Sequence, residues 1–161
     1  MKNELKIQRE KLIEKAFTSN QELLKSAKAF ILKSGIIMLA FRILFVIIET
    51  IYTIYANLPL TTVIFNYFLL FIGVMFVIGI YNGVKELAYL AIMGGIISIT
   101  NLFTIGHQFN SGNTMYNIYL TAFIVGMSVQ IIVMMVILLN KTCKEYFLIM
   151  KDINKELTKK K

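Results

Sequence analysis

Residues Gly35–Pro59 read GIIMLAFRILFVIIETIYTIYANLP, an apolar stretch with one arginine and one glutamate inside it. About 20 apolar residues in a helix cover the roughly 30 Å of bilayer hydrocarbon, and this stretch is long enough to do so. Arg42 and Glu49 lie seven residues apart, two helical turns, and share a face with Thr53 and Ala56. A charge at membrane depth costs roughly 2.5 to 3.5 kcal/mol on insertion scales, so that face is expected to point at protein or water.

Working outward, four apolar runs of spanning length are found, at about 36–56, 62–82, 87–105 and 116–139, and together they take up just over half of the 161 residues. The chain is 57% hydrophobic, with a mean hydropathy of +0.69, more apolar and in longer runs than a soluble domain of this size. The expected fold class is an all-α integral membrane protein, four transmembrane helices in an antiparallel bundle with amphipathic cytoplasmic helices at both termini. The division is residues 1–34 for the interfacial N-terminal helices, 35–140 for the membrane domain and 141–161 for a basic tail.

The net charge of +8 is placed unevenly. Eight Lys and Arg precede the first run and seven follow the fourth, leaving Arg42 and Lys85 between. A basic protein invites a nucleic-acid reading, but this placement is that of a membrane protein with both termini in the cytoplasm. No short apolar segment with a small-residue cleavage site opens the chain, which leaves the first span to direct insertion. High Ile, Lys and Asn with no Trp suggest a bacterial, AT-rich coding background, hence a bacterial cell membrane.

The flanks read as helices. Ser19 and Glu22 form a capping-box pattern, opening a helix with Leu23, Leu24, Ala27, Phe30 and Ile31 on one side and Lys25, Lys28 and Lys33 on the other. That helix is expected either to lie at the membrane surface or to run straight into the first span. At the other end, Tyr146, Met150, Ile153 and Leu157 form a seam able to pack on the N-terminal helices, a partner or the membrane. Cys143, the single cysteine, follows the fourth span and is read as a buried thiol.

Within the spans, Ala88, Ala91, Gly95 and Ser98, continued by Asn101, form a small-to-polar stripe that lets membrane helices approach closely. The third span is therefore expected to be the most buried. Ala122, Gly126 and Gln130 share a face of the fourth. By depth, Glu49, Asn66, Asn101 and Thr121 could form one polar layer near the outer side, while Arg42 and Gln130 could meet nearer the inner side. These six residues are the candidate intramembrane polar site. Two explanations compete. Glu49 could be a proton- or cation-binding carboxylate on a pathway. Alternatively, Arg42 snorkels inward, Glu49 reaches outward and the amides hold helices together; this structural explanation is preferred.

No catalytic, cofactor or metal constellation is visible. With one His and one Cys, expected on opposite sides of the membrane, neither a dyad nor a His- or Cys-rich metal site is expected. A glutamate in the first of four spans is a point in which the chain resembles the small multidrug transporters. The resemblance stops there, since those proteins are shorter and carry tryptophan and proline motifs, whereas this chain has no Trp and one Pro. The expectation is a non-enzymatic multi-pass membrane protein acting through binding, as an accessory, regulatory or immunity-type subunit. Its partners are the lipid bilayer and a protein partner or further copies of itself, not nucleic acid. The alternative is a small oligomeric transporter or channel using Glu49.

Overall fold

A computed structural model describes residues 7, 10–13, 20–106 and 114–159. Among these, helices and their connections account for everything, with no strand. Helix α1 is described at residue 7 and residues 10–13. It is followed by α2 (Gln21–Tyr55), α3 (Leu60–Tyr81), α4 (Glu86–Gly106), α5 (Thr114–Leu139) and α6 (Lys141–Lys159). Helices α2 and α5 are long and apolar enough to cross a membrane. Helices α3 and α4 carry shorter apolar stretches, Tyr67–Tyr81 and Glu86–Asn101.

Helix α2 is a single rod of 35 residues. Of the two courses open to the N-terminal helix, it runs straight on through Ser34 and Gly35. It begins one residue later than the Ser19–Glu22 pattern implies, with Asn20 in the N-cap position; Ser19 lies outside the described residues. Asn20 makes no side-chain capping bond, and Glu22 sits in the first turn, where its charge suits the helix dipole.

Two helices end by the same device. After α2, Leu58 N–H donates to Thr53 C=O at 2.9 Å and Asn57 N–H to Ile54 C=O at 3.3 Å, a Schellman motif with Asn57 at φ 50°. Pro59 then blocks continuation. After α3, Val84 N–H donates to Gly79 C=O at 3.0 Å and Gly83 N–H to Ile80 C=O at 2.9 Å, with Gly83 at φ 90°. The chain turns there and re-enters a helix at Glu86. Between α5 and α6 the break is one residue, Asn140, whose Oδ1 accepts from Cys143 N–H at 3.1 Å and so caps α6.

Contacts run α2–α3, α3–α4, α4–α5 and α5–α2, a closed ring, and α6 packs back on α2 and α5. The most buried helix is α2 rather than the third apolar run, now α4. Ten residues of α2 are buried, from Leu24 to Thr53 in steps of three or four apart from the neighbours Phe45 and Val46. Among its described side chains, helix α4 buries only its small stripe, Ala88, Ala91 and Gly95, and leaves Tyr89, Leu90, Met93, Ile96 and Ile97 exposed. Small side chains bring backbones together but cover little surface, so the stripe makes α4 close to its neighbour without making it central.

A buried apolar cluster lies at the end of the ring where α2 begins. Leu24, Ala27 and Ile31 of α2 join Cys143, Tyr146, Phe147, Met150 and Ile153 of α6 in one cluster. Leu12 and Ile13 pack against it. The α6 seam thus meets the N-terminal part of the chain; Leu157 lies outside the described side chains. The Tyr146 hydroxyl donates to the Tyr81 carbonyl, and the Lys28 ammonium sits 5.0 Å from the Tyr81 ring centroid. Burial lowers the Lys28 pKa from its usual 10.5. The α3–α4 turn closes the cluster: a Cβ on Gly83 would stand 2.5 Å from Met150 Cγ.

Gly83→Ala should therefore destabilise the protein by about 1 to 3 kcal/mol from backbone strain alone, with the Met150 overlap added. Gly94→Ala, where an added Cβ meets nothing within 4 Å, should leave the unfolding temperature unchanged or raise it. Thermal unfolding of the detergent-solubilised protein separates the two. Cys143 gives a second expectation, because burial pushes its thiol from 9.0 up to about 11. The thiolate is the nucleophile, so the folded chain at pH 8 should resist iodoacetamide while the denatured chain is labelled. The stability that the neutral thiol contributes should be present below pH 9 and lost as pH rises through about 11.

Candidate functional site

The buried face of α2 that packs Leu24, Ala27 and Ile31 at one end carries Arg42, Glu49 and Thr53 further along. These are 9%, 4% and 1% exposed, and they occupy the same three- and four-residue steps as the apolar residues before them. Helix spacing alone therefore aims all three inward.

Helix α5 meets them with Tyr116, Tyr119, Phe123, Met127, Gln130 and Met134, again in steps of three and four. The Arg42 guanidinium stays within the bundle. Its Nη1 donates to Met127 Sδ at 3.7 Å, a weak acceptor, and its carbon lies 5.4 Å from the Phe45 ring centroid. An arginine that snorkelled to the helix end would make neither contact. Phe45 packs edge-on against Phe123 at 5.3 Å, and Tyr52 stacks on Tyr119 at 4.9 Å with 13° between rings. Glu49 lies within electrostatic reach of Tyr119 and of Arg42. Glu49 thus lies near one member, Tyr119, of the aromatic group shared by α2 and α5.

Arg42 and Gln130 line one cavity, of about 210 Å³, with Ser98, Gly94, Gly73 and Phe76. Its walls come from α2, α3, α4 and α5, and exposed Leu90 and Gly94 are among the residues that line it. Gln130 Nε2 donates to the Ala91 carbonyl at 2.8 Å, which ties α5 to the small stripe of α4. One turn away, a Cβ on Gly95 would stand 2.9 Å from Ile131 Cγ1; glycine is what lets α4 and α5 approach there. Ala88 and Ala91 are buried along the same stripe, and Ser98, half-buried, faces the cavity.

The outer polar layer does not assemble around Glu49. Thr121 is exposed and lines a groove of about 510 Å³ between α2 and α5 with Phe41, Leu44 and Ile48. It stands two residues from both Tyr119 and Phe123, about 200° around the helix from the ring-facing side. Asn101 is also exposed. Two three-residue steps from Gly95 turn about 300° each, so Asn101 falls about 120° behind the stripe. The Asn66 side chain lies outside the described residues, as does His107. Rotation about each helix axis, which the residue spacing sets, takes Thr121 and Asn101 off the ring-facing side.

The stacked pair Tyr52 and Tyr119 is not singled out by the sequence reading. The signal was there: Tyr116, Tyr119 and Phe123 share a face, and Tyr52 stands three residues from Glu49. Among the described residues no group of three or more His, Cys, Asp or Glu side chains comes together. No family model, curated protein or solved structure matches the chain.

Gln130→Leu keeps the volume and removes the bond to the Ala91 carbonyl. It should lower stability by about 0.6 to 1.7 kcal/mol, read as a shift in thermal unfolding of the detergent-solubilised protein. Ser98→Ala, a smaller change at the cavity wall, should shift it less.

Proposed function

We propose that the chain is a four-span protein of a bacterial cell membrane, both termini cytoplasmic, that works by binding as an accessory, regulatory or immunity-type subunit. The four-span reading is supported by what faces outward. Large apolar side chains are exposed on every helix of the ring, among them Ile36, Ile43 and Ile47 on α2, Phe68, Phe71 and Met75 on α3, Met93 and Ile97 on α4, and Ile118 and Ile132 on α5. Apolar surface on this scale is not left to water by a soluble monomer. At 1.5 Å per residue, the 35 residues of α2 extend about 52 Å, more than a bilayer core requires. The surplus is the lysine-bearing segment that packs on α6, and it fits the cytoplasmic side, where Lys and Arg concentrate.

The observation that carries the binding reading is how the buried polar groups are used. Arg42 is held by Met127 and Phe45, and Gln130 by the Ala91 carbonyl. The Arg42–Met127 and Gln130–Ala91 contacts join helices to one another, while Phe45 belongs to the same helix as Arg42. The surface offers an apolar belt, and a basic end built from α6 and the α3–α4 turn. A second reading, a small transporter, is favoured by the cavity that Arg42, Ser98 and Gln130 share.

The test is affinity capture of the protein expressed at native level and solubilised in detergent. Removing α6 outright would also remove Cys143, Tyr146 and Phe147 from the core, so the comparison is a charge substitution at exposed Leu148. A stoichiometric partner, lost with Leu148→Glu while the unfolding temperature holds, is the expected result. If the protein comes out alone and proton-coupled flux in liposomes vanishes with Glu49→Gln, the transporter reading takes its place.

A further inference from the structure

Helix α6 has a second face beside its buried seam. Lys144, Leu148, Lys151 and Lys155 follow one another in steps of four, three and four, so they stand in a row along one side of the helix. The α3–α4 turn brings Lys85 against this row. Two cavities result, of about 300 Å³ and about 250 Å³, and they share Lys85, Phe147 and Lys151. Lys144 completes the first and Lys155 the second; one carboxylate, Glu86, lines the second. Four lysines from two separate elements thus line two adjoining cavities that share Phe147.

The walls are not those of a site for a soluble anion. Leu148 is 59% exposed and Tyr89 is 52% exposed beside the lysines, and Tyr89 and Leu138 both line the larger cavity. From Tyr89 the same face of α4 continues through Met93 and Ile96, and from Leu138 the face of α5 continues through Met135, all exposed and apolar. A ligand that fits has an anionic head at the lysines and a long apolar body against α4 and α5. Basic pockets at the cytoplasmic ends of membrane helices recognise phospholipid headgroups by this combination.

We propose that the cleft between Lys85 and the Lys144–Lys155 face of α6 is a site for the phosphate headgroup of an anionic phospholipid, with the acyl chains lying along α4 and α5. The proposal rests on the four-span reading. The Gly83 turn fixes where Lys85 stands, because Gly83 is packed against Met150 of the same α6. The two halves of the site are therefore held in register by the core beneath them.

The experiment uses the full chain in detergent, with native mass spectrometry reading bound phosphatidylglycerol against phosphatidylcholine. Wild type should retain phosphatidylglycerol selectively. Lys85→Gln with Lys151→Gln should weaken it about tenfold or more. Lys25→Gln with Lys33→Gln, which removes the same charge from exposed positions of α2, should leave it unchanged. Equal loss in both pairs, or no preference for the anionic lipid, overturns the site. Displacement of the lipid by inorganic phosphate also overturns it, in favour of a soluble anion. Carbonate washing of membranes from the same cells keeps the two questions apart. Protein that stays in the pellet while lipid selectivity fails loses the site alone, and protein released to the supernatant loses the four-span reading too.

Discussion

One face of one helix holds this structure together. From Leu24 to Thr53, α2 buries a residue at nearly every three- or four-residue step, and α3, α5 and α6 all pack on this helix. Steps averaging about 3.6, the repeat of a straight α-helix, keep one face turned toward its neighbours over a long rod. Because α2 is unbroken, whatever orients its first turns also orients Arg42 and Glu49 further along. The ring-facing position of both charges is a consequence of register.

Register needs a driving force, and the two ends of α2 differ in what can supply it. In the four-span reading, the segment from Gly35 onward lies in hydrocarbon, where burying an apolar side chain against protein gains little over burying it against lipid. The segment before it faces water, where fully burying a Leu or Ile is worth about 1.5 to 3 kcal/mol. Leu24 and Ile31 are each 1% exposed, and Tyr146 of α6 is fully buried against the same cluster. The polar-end cluster is thus where hydrophobic free energy can be gained. The small stripe of α4, the Gln130 amide and the stacked Tyr52 and Tyr119 then act by close packing and hydrogen bonding where that force is weak.

The sequence made some of this legible and hid the rest for identifiable reasons. Helix ends were plain, because Asn57 with Pro59 and Gly83 with a charged turn are strong stop signals. The α6 seam was plain too, since Tyr146, Met150 and Ile153 repeat at helical steps among lysines. The burial order was misjudged. Gly and Ala in α4 look like a core, while the α2 face of Arg42, Glu49 and Thr53 is expected only to point at protein or water. In an apolar run with little contrast, periodicity does not say which side is inside. Polar residues then carry the only phase information. Reading Arg42, Glu49 and Thr53 as markers of the buried face, and running that phase back to Leu24, places α2 at the centre. Carrying the same arithmetic to Asn101 and Thr121 takes both off the ring-facing side.

The N- and C-terminal segments therefore differ in kind from appended tails. Met150 packs on Gly83, Tyr146 bonds the Tyr81 carbonyl, and Lys28 lies over the Tyr81 ring. Three contacts from two helices thus converge on the end of α3 and the turn that follows it. Phe147 belongs to this cluster and is also among the residues lining the lysine-bearing cleft. A ligand seated over Phe147 binds only when α6, the Gly83 turn and α2 are already assembled. By linkage, a ligand that binds the assembled state and not the disassembled one stabilises the assembly in proportion to the logarithm of its occupancy. In the proposed site, the membrane that surrounds the helices would also supply a component that stabilises the end of the bundle lying outside the hydrocarbon.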